Sequence, residues 1–142
     1  MYNNILVSVD LNETAEARRV LGTAVEYARA FESRLHVLTV VPDYGSWVVG
    51  QYFPENFTET AIAEGRKQLE TLVETAAPKL SGIEVHVSYG NIYKEILQAV
   101  ERTQCDLVVM GAHRPELRDY LIGPNAARVV RHANCSVLVV RD

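Results

Sequence analysis

Residues 107–125 read LVVMGAHRPELRDYLIGPN, and this stretch constrains the fold more than any other part of the chain. It begins with a run of apolar residues typical of a buried strand, and the run stops at Gly111. A polar loop follows, and Gly123 and Pro124 then open a helix. Glycine lets backbone amides approach an anion, and the first turn of a helix offers unpaired N–H groups with a favourable dipole. The stretch therefore predicts a strand–loop–helix unit suited to holding a phosphate.

The rest of the chain alternates between strand patterns and helix patterns. Strand patterns, either apolar runs or an apolar–polar alternation, occupy five segments: Ile5 to Val9, Leu35 to Val41, Ile83 to Tyr89, Leu107 to Met110 and Val137 to Val140. Segments with apolar residues at helical spacing separate them, and we expect Asn12 to cap the first of these helices. Because strands that alternate with helices form parallel sheets, the pattern predicts an α/β fold with helices on both faces.

The composition of the strands also predicts their order. Residues 83–89 alternate between apolar and polar, as an edge strand does, whereas residues 5–9 and 107–110 are nearly all apolar and belong in the middle. With right-handed crossovers, the order 3-2-1-4-5 satisfies both conditions. We therefore predict a doubly wound, five-stranded parallel sheet of Rossmann-like type, forming one domain over residues 1–142.

Composition excludes several classes of protein. The net charge is −4 and no block of basic residues occurs, which argues against a general nucleic-acid or anionic-membrane binder. No apolar run reaches transmembrane length, and no basic segment precedes the first strand, so we expect a cytoplasmic protein. Cys105 and Cys135 are too few for a disulfide framework and are expected to be buried thiols. No metal-ligand spacing can be assembled from these motifs.

The predicted strand order places a candidate site at the carboxyl ends of strands 1 and 4. Ligands of doubly wound sheets bind where the strand order reverses, and Asp10 and Gly111 end these two strands. Asp10 could cap the following turn, accept a hydrogen bond from a ribose hydroxyl, or hold Mg²⁺ beside phosphates. Arg114 could bind phosphate oxygens through two parallel hydrogen bonds. Pro124 removes one amide from the cradle.

The segment 44–57 is the least regular part of the chain and holds five of its eleven aromatic residues. One interpretation is a long connection whose aromatic side chains pack on the domain. The other is a lid or a surface for a protein partner, since long loops in compact domains are often functional. The sequence does not decide between them.

Three blocks of the chain resemble the universal stress protein family, the UspA superfamily. They are ILVSVD at 5–10, CDLVVMGAH at 105–113 and LIGPNAARVVRHANCSVLVVR at 121–141, and the resemblance extends over essentially the whole chain. The ATP-binding branch of this family carries G-x₂-G-x₉-G-[ST]. Gly111 and Gly123 match its outer glycines, Arg114 replaces the second glycine, and Pro124 replaces the hydroxyl residue.

The resemblance implies an adenine nucleotide alpha hydrolase-like fold that binds ATP, AMP or ADP. The position of the Asp10 carboxylate would allow it to hold Mg²⁺ bound with the nucleotide. At matching positions the resemblance implies that the adenine and ribose lie against Ser8, Val9, Asp10 and Val40. It implies that the ribose and phosphates lie against Met110, Gly111, His113, Arg114, Gly123, Pro124 and Asn125. It also implies a homodimer in which Val137 to Val140 of two copies pair, which would cover an open sheet edge.

The sequence therefore predicts a stress-response protein that binds ATP as a regulatory ligand and hydrolyses it weakly at most, because no P-loop lysine or base for water is present. One alternative is a nucleotide-free dimeric interaction module, which Pro124 favours. Another is a phospho-acceptor domain using Asp10. That class needs clustered acids after strand 1 and a lysine after the last strand, and the chain offers neither.

Overall fold

The computed structural model describes residues 1–42, 57–112 and 123–141. The predictions for His113, for Arg114 and for nearly all of the aromatic segment 44–57 lie outside the described residues. In chain order the elements are β1 (Asn4–Ser8), α1 (Thr14–Phe31), β2 (Arg34–Pro42), α2 (Phe57–Ala76), β3 (Glu84–Gly90), α3 (Ile92–Thr103), β4 (Leu107–Gly111), α4 (Pro124–His132) and β5 (Ser136–Val140).

The described strands form one parallel sheet in the order β3-β2-β1-β4-β5, which confirms the predicted topology. Side chains alternate between its two faces, so that Ile5 and Val7 pack with α1 and α2 while Leu6 packs with α3 and α4. Because both faces of β1 and β4 are covered, their apolar residues are almost completely buried. This explains why neither strand shows an alternating sequence.

The start of α1 differs from the prediction. Asn12 was expected to cap this helix, but the N-cap is Glu13 and the helix begins at Thr14. The Asp10 carboxylate accepts a hydrogen bond from the Asn12 N–H at 2.9 Å, and the Asp10 carbonyl accepts one from the Glu13 N–H at 3.0 Å. These bonds form a turn that contains Asn12 and delays the helix. The prediction was wrong because the turn residue Asp10 precedes the candidate cap.

The edges of the sheet agree with the predicted order. β3 lies at one edge, as its alternating sequence indicated, and β5 lies at the other with Val137 to Val140 partly exposed. Pairing of this edge with a second copy stays a prediction.

Cys105 is buried as expected, but Cys135 is only half-buried. Within the described ranges, no helix is long and apolar enough to cross a membrane.

Candidate functional site

A cavity of about 540 Å³ lies at the carboxyl ends of the central strands. Ser8 of β1 is in register with Met110 of β4, and beyond this pair the chain leaves β1 for α1 on one face, whereas α4 packs on the other face. The cavity therefore occupies the point where the winding of the sheet reverses. Its volume falls in the range of about 300–1,000 Å³ found for small-molecule sites.

The structure brings most of the predicted site residues together around this cavity. Its lining includes Ser8, Val9, Asp10, Val40, Met110, Gly111, Gly123, Pro124 and Asn125. The remaining two, His113 and Arg114, are outside the described residues. Contact of any of these residues with a ligand stays a prediction.

Hydrogen bonds to β2 fix the backbone where β1 ends. The Val9 N–H donates to the Leu38 carbonyl at 2.9 Å, and the hydroxyl of Thr39 donates to the Val9 carbonyl at 3.0 Å. Thr39 lines the cavity, is only 4% exposed, and was not predicted as a site residue. Its buried hydroxyl holds Val9 and the start of the Asp10 turn in place.

The first turn of α1 contributes Glu16 to the cavity wall. A Cβ built on Gly111 would lie 2.6 Å from the Glu16 Cδ, so the Glu16 carboxylate occupies the space that a side chain at position 111 would take. Sequence reasoning missed Glu16, because an acid in the first turn of a helix is already explained by the helix dipole. The glycine at 111 therefore serves the packing of Glu16 as well as any approach of a ligand.

The N-terminus of α4 faces the same cavity. Gly123 is its N-cap in an extended conformation, φ −69° and ψ 164°, and Pro124 is the first helical residue. Pro124 has no N–H, so the amides that this turn presents come from Asn125 and Ala126, and both residues line the cavity. Gly123 has no side chain to compete for these amides. The turn therefore retains donors for an anion.

The opposite wall comes from α2, which sequence reasoning did not connect with the site. Ala61, Glu64, Gly65 and Gln68 line the cavity. Gly65 is buried, and a Cβ there would meet Val87 at 3.6 Å and Val41 at 3.8 Å, which shows how closely α2 approaches the sheet. Gly65 in the middle of a helix pattern could have indicated this wall from the sequence, because a glycine inside a helix often marks close packing.

The described lining of the cavity is acidic. Asp10, Glu16 and Glu64 contribute carboxylates, and no lysine or arginine occurs among the described lining residues. The N-terminal dipole of α4 is the favourable feature for an anion in this part of the site. A ligand with several phosphate charges would therefore need a cation bound with it, or arginines from outside the described residues.

Comparison with known proteins agrees with this architecture. The model of the Usp, universal stress protein family, matches residues 1–141. The chain is 32% identical to universal stress protein G of Escherichia coli O157:H7 over 99% of this chain and 100% of that protein.

Solved structures share the fold, and two of them show the extent of the match. The universal stress protein UspA from Lactobacillus plantarum has a TM-score of 0.72 and 27% identity, covering 99% of this chain and 98% of its own. The universal stress protein from Archaeoglobus fulgidus, solved in complex with dAMP, has a TM-score of 0.73 and 22% identity, with coverages of 99% and 98%. The family model and the 32% identical relative both extend over essentially the full length, and the chain belongs to the universal stress protein family.

Proposed function

We propose that this protein binds an adenine nucleotide, in the form of ATP with Mg²⁺, in the cavity at the ends of β1 and β4, and that the nucleotide acts as a regulatory ligand in the stress response. The main support for the proposal is the cavity itself. It is lined both by the carboxyl ends of the strands that the sequence predicted and by the N-terminus of α4. The dAMP complex of the Archaeoglobus fulgidus relative supports an adenine nucleotide as the ligand class.

The lining divides into an apolar part and a polar part. Val9, Val40 and Ile92 offer apolar surface for the adenine ring. The Asp10 carboxylate already accepts a hydrogen bond from the Asn12 N–H and retains capacity to accept another from a ribose hydroxyl. The backbone N–H groups of Asn125 and Ala126 donate hydrogen bonds to the phosphates in this proposal. His113 and Arg114 would complete the polar part.

The acidic wall favours the magnesium complex over free ATP. Mg²⁺ in proteins is held by one or two carboxylates together with substrate phosphates, and Asp10 and Glu16 would supply the carboxylates. The ion would offset the repulsion between these residues and the triphosphate. The motifs supply no P-loop lysine, which favours a binding role with weak hydrolysis at most.

Replacing Gly123 tests the proposal. The backbone at Gly123 is extended, a conformation open to any residue, so Gly123→Val should fold while its side chain obstructs the anion end of the cavity. We expect isothermal titration to show loss of ATP–Mg²⁺ binding in Gly123→Val and unchanged binding in Gly22→Val. Gly22 is the matched control, since a Cβ there meets nothing within 4 Å. Equal affinity in both variants would contradict the proposal.

The alternative of a nucleotide-free interaction module is favoured by Pro124, which removes one amide from the anion end of the cavity. Mass spectrometry of small molecules released from the denatured native protein separates the two. Co-purified adenine nucleotide supports the first function. Its absence, together with no thermal shift on adding ATP–Mg²⁺, supports the second.

A further inference from the structure

A second cluster of polar side chains lies at the end of the sheet opposite the cavity. His36 is near the start of β2, and Glu84 and His86 are at the start of β3. His36 lies on the same face of β2 as Leu38, which packs in the core cluster containing Ile96 of α3. The sequence motifs suggested no metal-ligand set, whereas the fold brings three potential ligand residues together here.

The register of the two strands creates the cluster. Glu84 is directly opposite His36 in the parallel ladder, and His86 is two residues further along β3, on the same face. His36 is 7% exposed in its side chain, His86 is 22% exposed and Glu84 is 59% exposed. His36 is therefore buried, His86 on the edge strand is partly buried, and Glu84 opens to solvent.

Three potential ligand atoms converge at this point. His36 Nδ1 lies 3.1 Å from His86 Nε2 and 3.2 Å from Glu84 Oε2, and His86 Nε2 lies 3.8 Å from Glu84 Oε2. A tetrahedral Zn²⁺ with bonds of about 2.0–2.1 Å separates its ligand atoms by about 3.3–3.4 Å. The observed spacings lie on both sides of this value, so shifts of a few tenths of an ångström would admit an ion.

Both imidazoles are held in the neutral form that binds metals. Burial is the largest cause that lowers the pKa of His36 and of His86, and His36 lowers the pKa of His86 further. Arg34 and Arg102 act on His36, and Arg102 and Arg66 act on His86. These charges oppose any cation, and the Glu84 carboxylate is the group that offsets them.

We propose that His36, Glu84 and His86 form a binding site for a divalent transition metal, with Zn²⁺ as the best match. Imidazole nitrogen selects zinc and its neighbours in the periodic table over Mg²⁺ and Ca²⁺, which prefer oxygen ligands. Three protein ligands leave a fourth tetrahedral position for water on the exposed side. Because Glu84 is largely exposed, the ion can reach the site from solvent on that side. The ion would tie the edge strand β3 to β2. This proposal is independent of the nucleotide site.

The cluster also has a metal-free interpretation, in which the His36 Nδ1–H is shared between two acceptors, His86 Nε2 and Glu84 Oε2. The experiment that separates the two is a competition titration of the full chain with Zn²⁺ against a chromophoric chelator. The variants are Glu84→Gln and His86→Gln, with circular dichroism to verify folding. His132→Gln controls for an exposed histidine, and Cys135→Ser controls for the half-buried thiol near Cys105.

We expect one Zn²⁺ per chain, bound at least about 10–100-fold more weakly in Glu84→Gln and His86→Gln, because losing a ligand should cost no less than losing an outer-shell partner. His132→Gln and Cys135→Ser should bind like the parent. Zn²⁺, and not Mg²⁺, should raise the melting temperature of the parent.

Equal Zn²⁺ affinity in the parent and in Glu84→Gln would overturn the proposal, and so would the absence of stoichiometric binding. Because Glu84 is largely exposed, Glu84→Gln keeps the test decisive even if His86→Gln fails to fold. Loss of binding in Cys135→Ser alone would also overturn it and would assign the ion to the cysteines.

Discussion

At the scale of single residues, the carboxylates on the cavity wall provide a test of the proposed nucleotide binding. Glu16 sits beside Gly111, where a nucleotide phosphate would approach the end of β4. We expect Glu16→Gln to bind ATP more tightly than the parent in Mg²⁺-free buffer. Removing one like charge at close range is worth on the order of 1 kcal/mol, or about fivefold in Kd.

With saturating Mg²⁺ the order should reverse, because Glu16→Gln loses a carboxylate that would hold the ion. Isothermal titration under both conditions measures the effect, and Glu74→Gln on α2, an exposed acid away from the cavity, is the control. Identical ATP affinities for the parent and Glu16→Gln in both buffers would contradict a role for Glu16.

Cys105 is the second residue with a specific expectation. Burial raises the pKa of its thiol from 9.0 to about 11, although the Thr103 hydroxyl, 2.9 Å from its sulfur, acts in the opposite direction. In the Cys135→Ser variant, native Cys105 should therefore react slowly with iodoacetamide at pH 8, and the rate should rise about tenfold per pH unit up to pH 10.

The same shift has a consequence for stability. The folded state keeps the proton of Cys105 between pH 9 and about 11 while the unfolded state loses it, so the free energy of unfolding should fall as the pH rises through this window. Rapid modification of the native protein at pH 8 would show that Cys105 is accessible and that the shift is absent.

At the scale of elements, the two asparagines near helix starts behave differently. Asn91 caps α3, and its side-chain oxygen accepts from the Lys94 N–H at 3.4 Å, as its position after Gly90 predicts. We expect Asn91→Ala to lower the free energy of unfolding by about 1 kcal/mol. Asn12→Ala should change it by less than about 0.5 kcal/mol, because Asn12 caps nothing. Urea denaturation compares them, and equal losses would contradict this assignment.

Elements were predictable where one sequence pattern decides them. The apolar runs of β1 and β4 and the alternating sequence of β3 are patterns of a few residues, and the central and edge positions that they predict were confirmed. The start of α1 was not predictable by the same means, because Asp10 and Asn12 both favour local hydrogen bonds and only one of them forms the turn.

At the scale of the whole molecule, the fold and the position of the cavity followed from the order of strands, since the point where the winding reverses is a property of topology. The opposite wall of the cavity, formed by α2, could not be predicted from the strand order, because it depends on how closely this helix packs on the sheet. The histidine cluster did not follow either. His36 lies 50 residues before His86 in the sequence, and it meets Glu84 and His86 only through the register of β2 and β3.

The two sheet edges differ in a way that limits how copies of the chain can assemble. β5 is apolar from Val137 to Val140, whereas β3 begins with the exposed, charged Glu84 and ends at Gly90 with a φ of 142°. Charge and irregular backbone discourage further strand addition. If two copies join through β5, their sheets merge into a continuous ten-stranded layer, five from each, that terminates at β3 on both sides. Assembly then stops at the dimer, because the exposed β5 edges, through which further copies could add, are paired with each other.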